Sequence, residues 1–244
     1  MQRRLRGPGF LLLIAGLLLA GCSRGASSTP SATGSAQVIQ HGDPNRRVVA
    51  LTFDAGNESA YTDQILDIPK EKGVKASFGM TGVFAERYPD LLRRIAKEGH
   101  QLFNHSYHHW SFTGQSAQNP ALTEAQLWDE LDKTEAIIKK LTGVSTKPYF
   151  RPPYGDYSDF VNAAAYAHGY RYDVLWSDSS LGRLGGPAEE IVQRVVTQAQ
   201  PGAIIAMHLG VAEDAYALPG IIDRLRNLGY GFVTLPELIS ALGK

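Results

Sequence analysis

The stretch Val48-Val-Ala-Leu-Thr-Phe-Asp-Ala-Gly-Asn-Glu-Ser59 contains the strongest indication of the fold. Residues 48–53 are almost all apolar and a glycine-containing turn follows directly, which is typical of a strand buried on both faces of a parallel sheet. Asp54 stands at the C-terminal end of that strand, where α/β proteins place their catalytic groups. A carboxylate there also suits a helix cap or a turn, so Asp54 alone leaves both roles open.

Strand-like and helix-like segments alternate along the rest of the chain. Seven strands are predicted to begin near residues 48, 76, 101, 147, 170, 203 and 231, each followed by a helix or a long loop. Helices are predicted at 61–72, 89–98, 123–141, 159–168, 187–200, 215–228 and 236–242. This alternation predicts right-handed βαβ crossovers, and therefore an α/β fold with a parallel sheet or barrel.

Length and composition indicate one large domain, which we place at residues 45–244. The chain has 244 residues, of which 43% are hydrophobic, with 24 basic and 24 acidic side chains. That length suits a single α/β barrel. The balanced charge argues against nucleic acid as a partner, and we expect a monomer. A single cysteine excludes an internal disulfide and a cysteine-based zinc site.

The first 44 residues differ in composition from the rest. Three arginines precede the apolar run 10–20, which is too short for a comfortable membrane span and ends in Leu19-Ala20-Gly21-Cys22. This pattern predicts a secretory signal at 1–21, and its end resembles the lipobox of bacterial lipoproteins, in which the cysteine is lipidated. We therefore expect an exported protein anchored to a membrane through Cys22, with a Ser/Thr/Gly-rich tether at 22–44. An ordinary signal peptide with a chance cysteine remains the alternative.

Three histidines follow the third predicted strand, in Asn104-His-Ser-Tyr-His-His109. Imidazoles suit zinc, cobalt or nickel, and His105 and His109, four residues apart, can converge on one divalent ion. The alternative is a polar loop whose histidines bind backbone groups.

Two further stretches carry candidate catalytic residues. Phe150-Arg-Pro-Pro-Tyr-Gly155 has a backbone fixed by two prolines, and the guanidinium of Arg151 suits a carboxylate such as Asp54. His208 ends the apolar strand 203–207 and can act as an acid or a base near neutral pH. The alternatives are a plain turn with a surface arginine and a histidine packed in the core.

Four motifs together resemble the polysaccharide deacetylases with the NodB homology domain, also called carbohydrate esterase family 4. They are TFDAG at 52–56, HSYHH at 105–109, RPPYG at 151–155 and MHLG at 207–210. The resemblance spans about residues 48–242, with the motifs in family order. It implies a distorted (β/α) barrel of about seven parallel strands. It also implies metal-dependent removal of N-acetyl groups from the amino sugars of a polysaccharide, either peptidoglycan or a chitin-like surface glycan.

The resemblance also implies a role for each matched residue. Asp54 would be the general base, Arg151 would orient that base, and His208 would donate a proton to the leaving amine. The amide of Tyr154 would bind the oxyanion, and Leu209 would contact the acetyl methyl. The metal ligands would be His105, His109 and Asp54, with zinc as the expected ion.

The sequence departs from the family pattern in two places. The usual second aspartate of TFDDG, a third metal ligand, is Ala55 here. An Asp-Trp pair that tunes the catalytic histidine and walls the pocket aligns with Gly182 and Arg183, and Asp173 and Asp178 are the nearby candidates for the missing carboxylate. The alternative function is therefore a glycan-binding lipoprotein with the same barrel and little or no catalysis.

Overall fold

The computed structural model describes residues 34–242, so the predicted signal segment and Cys22 lie outside the described residues. The described strands are β1 Gln37–Ile39, β2 Val48–Asp54, β3 Ser77–Met80, β4 Gln101–Asn104, β5 Tyr149–Phe150, β6 Tyr172–Val174, β7 Asp178–Ser179, β8 Ile204–His208 and β9 Gly231–Phe232. The described helices are α1 Thr62–Glu71, α2 Gly82–Arg87, α3 Pro89–Lys97, α4 Glu124–Thr142, α5 Asp159–Ala167, α6 Ala188–Gln198, α7 Ala212–Asn227 and α8 Leu235–Ile239.

These strands form one parallel sheet in the order β1-β6-β5-β4-β3-β2-β8-β7, and β9 pairs with the first residues of β2. The sheet curls into a half-barrel surrounded by helices, which confirms the predicted distorted (β/α) barrel. The seven predicted strands are all present. The prediction missed β1, β7 and helix α2, which are short elements of three, two and six residues with little room for a periodic pattern.

The folded domain begins before the predicted boundary at residue 45. β1 pairs in parallel with β6, and both Ala36, which precedes the strand, and Ile39, its last residue, are buried. Residues 37–39 therefore belong to the sheet and not to the predicted tether. The β-branched pair Val38-Ile39 favours a strand, but it is too short to stand out in a Ser/Thr/Gly-rich segment.

β2 is the centre of the molecule and is buried on both faces, as its apolar run predicts. Val49, Leu51 and Phe53 belong to the large apolar cluster under the helices, whereas Ala50 packs in a second cluster with Leu235 of α8. Alternate side chains of one strand thus enter two cores, as the two-residue period of a strand requires. Each fully buried large side chain contributes about 1.5–3 kcal/mol to stability.

The register of the sheet brings the predicted site residues to one end. Asp54, the last residue of β2, lies opposite His208 on β8 and opposite Gly79 on β3. Position 79 requires glycine, because a Cβ there would lie 2.7 Å from Asp54 Oδ1 and 2.4 Å from the ring of Phe103. The loops that follow β4 and β5 leave the sheet at the same end.

Within residues 34–242, no helix has both the length and the apolar character needed to cross a membrane.

Candidate active site

The centre of the site is a buried ion pair between Asp54 and Arg151. Arg151 Nη1 donates to Asp54 Oδ1 at 2.8 Å and to Thr52 Oγ1 at 3.1 Å. Nε donates to the carbonyl of Val174 at 2.6 Å, and Nη2 to that of Leu175 at 3.1 Å. Arg151 is completely buried, so these bonds together fix its guanidinium under the carboxylate.

This pairing sets the protonation state of Asp54. Burial by itself raises the pKa of the carboxyl, but the charge of Arg151, helped by the neighbouring imidazoles of His105 and His208, outweighs burial and holds the pKa below its ordinary value. Asp54 is therefore ionised at neutral pH. Its Oδ1 is engaged by Arg151, so its other oxygen is the one through which it can accept a proton.

The imidazole of His105 is oriented by the same arginine residue. Its Nδ1 lies 2.9 Å from the backbone carbonyl of Arg151, which can only accept, so Nδ1 carries the proton and Nε2 keeps a free lone pair. Burial is the main reason that the pKa of His105 lies below its ordinary value. The ring is therefore neutral and can donate the lone pair of Nε2 to a metal ion.

A buried glutamate from α4 holds the loop that follows β4. Glu130 Oε2 accepts from the backbone N–H groups of Tyr107 and His108 at 2.9 and 2.8 Å, and Oε1 lies 2.5 Å from His108 Nδ1. The ring of His108 also stacks on Trp110, with centroids 4.4 Å apart. His108 is thus a structural member of the loop. Glu130 was not predicted as a site residue, because it lies 22 residues from His108 on a helix with an ordinary amphipathic pattern.

His109 and Tyr154 meet across the cavity in strained backbone conformations. The rings of His105 and His109 are 4.9 Å apart, and His109 packs edge-on against Tyr154 at 4.8 Å. Burial, with a smaller contribution from His105, lowers the pKa of His109 to about 3. His109 has φ 64° and Tyr154 φ 63°, a left-handed conformation that costs non-glycine residues of order 1–3 kcal/mol and is concentrated at functional sites.

The backbone N–H of Tyr154 is not used by the hydrogen bonds that close the turn around it. Gly155 N–H donates to the Pro152 carbonyl at 3.0 Å, and Asp156 N–H to the Pro153 carbonyl at 3.1 Å. The Tyr154 N–H takes part in neither bond.

His208 faces Asp54 from β8 and has a carboxylate beside it. Asp214 Oδ2, in the first turn of α7, accepts from the backbone N–H of His208 at 2.8 Å and lies 3.5 Å from its Nδ1. Asp214 is completely buried, whereas the His208 side chain is 24% exposed. This carboxylate, rather than Asp173 or Asp178, is therefore the one next to the histidine.

These groups border one open cavity of about 700 Å³. Its lining includes all of the predicted site residues except Arg151, which lies beneath it, namely Asp54, His105, His109, Tyr154, His208 and Leu209. Ala55 and Arg183 lie on the same wall, and Trp110 and Trp176 add aromatic surface. The structure thus brings together every predicted site residue within the described chain.

Comparison with known proteins identifies the family. The sequence model of the family described as polysaccharide deacetylase matches residues 41–172, more than half of the chain. This chain belongs to the polysaccharide deacetylase family. Its members are carbohydrate esterases that act on N-acetyl amide bonds.

Two relatives of this chain are named for the sugar unit that they deacetylate. The peptidoglycan-N-acetylmuramic acid deacetylase PdaA of Bacillus subtilis is 34% identical over 202 residues, which cover 81% of this chain and 73% of the relative. A peptidoglycan-N-acetylglucosamine deacetylase of Bacillus cereus is also 34% identical over 202 residues, covering 81% and 70%.

Solved structures of two relatives have the same fold. The Bacillus subtilis PdaA structure, a family 4 carbohydrate esterase, superposes with a TM-score of 0.75 at 32% identity, covering 82% of this chain and 84% of that one. A pseudoenzyme of the same esterase family from Bacillus anthracis superposes with a TM-score of 0.77 at 27% identity, covering 85% and 70%.

This chain has fewer metal-binding side chains in its cavity than a metal-dependent member of the family would be expected to have. Deacetylases of the family are generally metal-dependent. Within residues 34–242, however, no group of three or more His, Cys, Asp or Glu side chains converges as a metal site would. The neighbouring imidazoles of His105 and His109 fit two coordination positions of a borderline ion. Ala55 lines the cavity where the family pattern has the third ligand, and one oxygen of Asp54, Oδ1, is bonded to Arg151.

Proposed function

We propose that this chain is an exported hydrolase that removes N-acetyl groups from amino sugars of a polysaccharide. The observation that carries the proposal is the buried Asp54–Arg151 pair directly opposite His208, at the floor of a cavity that also holds two oriented imidazoles. A carboxylate base, an imidazole acid and a cavity between them are the groups that amide hydrolysis needs.

Peptidoglycan is the glycan we propose as substrate. The relatives named above act on its N-acetylglucosamine or N-acetylmuramic acid units. The cavity is open and lined by aromatic and polar groups, among them Trp110, Asn119 and Tyr154, which suit a sugar with its alternating apolar and hydroxyl faces.

The first chemical step is addition of water to the acetyl carbonyl. Asp54 accepts a proton from the water while the water oxygen forms a bond to the carbonyl carbon. Arg151 keeps the carboxylate of Asp54 fixed during this proton transfer. The developing oxyanion accepts a hydrogen bond from the backbone N–H of Tyr154. The hydrogen bonds within the turn do not engage this N–H. Leu209, buried on the cavity wall, contacts the acetyl methyl.

The second step is loss of the amine. His208 gives a proton to the sugar nitrogen as the carbon–nitrogen bond breaks, and the products are acetate and a free amino sugar. An amide nitrogen is a poor leaving group unless it is protonated, so this proton controls the collapse of the intermediate.

We further propose that His105 and His109 hold a divalent ion, zinc before cobalt or nickel, with Asp54 as a weaker third ligand. When bound, such an ion supplies Lewis-acid polarisation of the carbonyl and a more acidic water. With two strong ligands instead of three, its affinity should be low.

Export and a lipid anchor at Cys22 complete the proposal. They are supported by the basic start, the apolar run and the Leu-Ala-Gly-Cys sequence of residues 19–22. Cys22→Ser should release the protein from the membrane fraction once the signal is cleaved, and equal fractionation of the variant and the wild type would contradict the anchor.

A glycan-binding protein without catalysis is the second candidate. Two observations favour it, namely Ala55 in place of a metal ligand and the likeness to a pseudoenzyme of the family. A binder would hold an oligosaccharide without releasing acetate.

Asp54→Asn distinguishes the two candidates. Asparagine keeps an oxygen that can accept from Arg151, so the fold and glycan binding should remain, while acetate release from peptidoglycan fragments should fall by about 10² or more. Asp129→Asn, the same change in an exposed ion pair with Lys133, is the matched control. Wild-type protein that binds the glycan but releases no acetate would establish the binder, and undiminished activity in Asp54→Asn would refute the mechanism.

A further inference from the structure

The carboxylate of Asp214 lies in contact with His208 and is placed to orient its ring. One of its oxygens contacts both the backbone N–H and, at 3.5 Å, the ring nitrogen Nδ1 of that histidine. Within the described chain, neither this Nδ1 nor Asp214 Oδ1 has a hydrogen-bond partner, although both atoms are buried. Buried polar atoms without partners are rare, and a proton on Nδ1 would let it donate to the carboxylate beside it.

The position of Asp214 also favours its charged form. It is the third residue of α7, where the N-terminal end of a 16-residue helix stabilises a negative charge. A buried carboxylate needs such compensation. The carboxylate is therefore held in place beside His208, where it can accept a hydrogen bond from the ring nitrogen Nδ1.

Gly182 makes room for this carboxylate. A Cβ at position 182 would lie 2.3 Å from Asp214 Oδ1 and 2.7 Å from its Cγ. Gly182 is buried and is not among the glycines with a positive φ, so its backbone conformation would allow a side chain. Space, and not conformation, therefore requires the glycine. Positions 182 and 214 cannot both carry a carboxylate in this arrangement.

We propose that Asp214 is the positioning residue of His208, and that its carboxylate, entering from α7, occupies the space that a side chain at position 182 would otherwise fill. The inference rests on the proposed deacetylase function, because it assigns a partner to the residue that protonates the amine. It also explains how the chain lacks the aspartate expected at position 182 and still keeps a carboxylate at the catalytic histidine.

The test compares two substrates that differ in their need for a proton. Acetate release from an N-acetylated glycan fragment requires protonation of the amine, whereas 4-nitrophenyl acetate loses a stable phenolate without it. Asp214→Asn should lower kcat on the glycan at least about tenfold, with KM within about twofold, and should leave the ester rate nearly unchanged. Because the ratio of the two rates does not depend on the amount of folded protein, a poorly folding variant still gives an answer.

Two further variants sharpen the result. Glu213→Gln removes a charge from the same turn of α7 without contact to His208 and should leave both rates unchanged. Gly182→Asp alone should lower glycan turnover, because the two side chains collide, whereas Gly182→Asp combined with Asp214→Gly should recover a substantial part of it. Equal losses on both substrates in Asp214→Asn, or a double variant no better than Asp214→Gly, would overturn the inference.

A measurement without catalysis separates this inference from the proposed function. The ¹⁵N shifts of the His208 ring, assigned with His208→Gln, should change in Asp214→Asn and stay the same in Glu213→Gln. If wild-type protein hydrolyses neither substrate, the proposed function fails, but these shifts still decide the positioning role, and unchanged shifts in Asp214→Asn would refute it.

Discussion

Replacement of Arg151 by methionine tests the electrostatic centre of the site. The change keeps an unbranched apolar stem but removes the cation, which leaves Asp54 buried without its counter-charge and two backbone carbonyls without donors. Breaking a buried ion pair by removing one partner costs about 3–5 kcal/mol. Since whole domains are stable by only about 5–15 kcal/mol, Arg151→Met should lose a large part of the free energy of unfolding at pH 7.

The loss should depend on pH in a defined direction. In the wild type, the pKa of Asp54 is below its ordinary value, so its contribution to stability is present above the unfolded-state pKa and is lost as the pH falls through the folded-state pKa. Without Arg151, burial dominates and raises the pKa of Asp54, so folding of the variant becomes less favourable as the pH rises. The difference in stability between the two proteins should therefore be larger at pH 7 than at pH 4.

Urea unfolding in the presence of a chelator, followed by fluorescence and by circular dichroism, measures this difference at both pH values. Arg93→Met is the control, because Arg93 forms an exposed pair with Asp90 and should cost less than about 1 kcal/mol. In the Asp54→Asn background, the cost of Arg151→Met should shrink, since the buried charge is gone. A cost below about 1 kcal/mol at pH 7, or one that is equal at both pH values, would refute this account of the site.

Two further predictions concern another buried carboxyl and the metal. Burial, opposed by the charge of Arg151, raises the pKa of Asp173 from its ordinary 3.8 to about 7, so the folded state retains a proton that the unfolded state has released, and stability falls as the pH rises between these values. Asp173→Asn should remove that loss and raise the free energy of unfolding above pH 7 by up to about 4 kcal/mol. Thermal unfolding of both proteins between pH 4 and 8 measures the effect, and parallel dependences of stability on pH would refute it. Ala55→Asp should tighten zinc binding at His105 and His109 at least about tenfold by adding a third ligand, as measured by calorimetric titration, and an unchanged affinity would argue against a metal at these imidazoles.

The parts of the fold that were easiest to predict are those with a long or strongly marked sequence pattern. β2 was predictable because residues 48–53 are almost all apolar and are followed by Asp-Ala-Gly, and six of the seven residues of the strand are buried. α4 was predictable from its length and from Thr123, whose side chain forms a capping box with Gln126. β1 and β7 each gain their hydrogen bonds from neighbours far away in the chain, so their own residues carry little indication of them.

The same limit explains which site residues were missed. Asp54 and His208 end strands and Arg151 follows one, and the position of a polar residue after an apolar run is visible in the sequence. Asp214 lies in the first turn of a helix, next to Glu213, where acidic residues are common for reasons unrelated to catalysis. Its contact with His208 depends on the path of the chain from β8 into α7 and on the absence of a side chain at Gly182.

The two departures from the family pattern have different consequences. At Gly182 the missing carboxylate is supplied from another element, since Asp214 reaches the space that the glycine leaves and lies beside His208. At Ala55 no new side chain within residues 34–242 takes the place of the missing ligand, because no cluster of three metal-binding side chains is formed there, and Asp54, which is already paired with Arg151, is left as the weaker third ligand. In the proposed mechanism the groups that move protons are therefore complete, and the departure without a full substitute is the missing metal ligand. A chain that had drifted into a binding role would have no reason to rebuild the acid side of the site, and the carboxylate at His208 is for this reason the stronger argument for an enzyme.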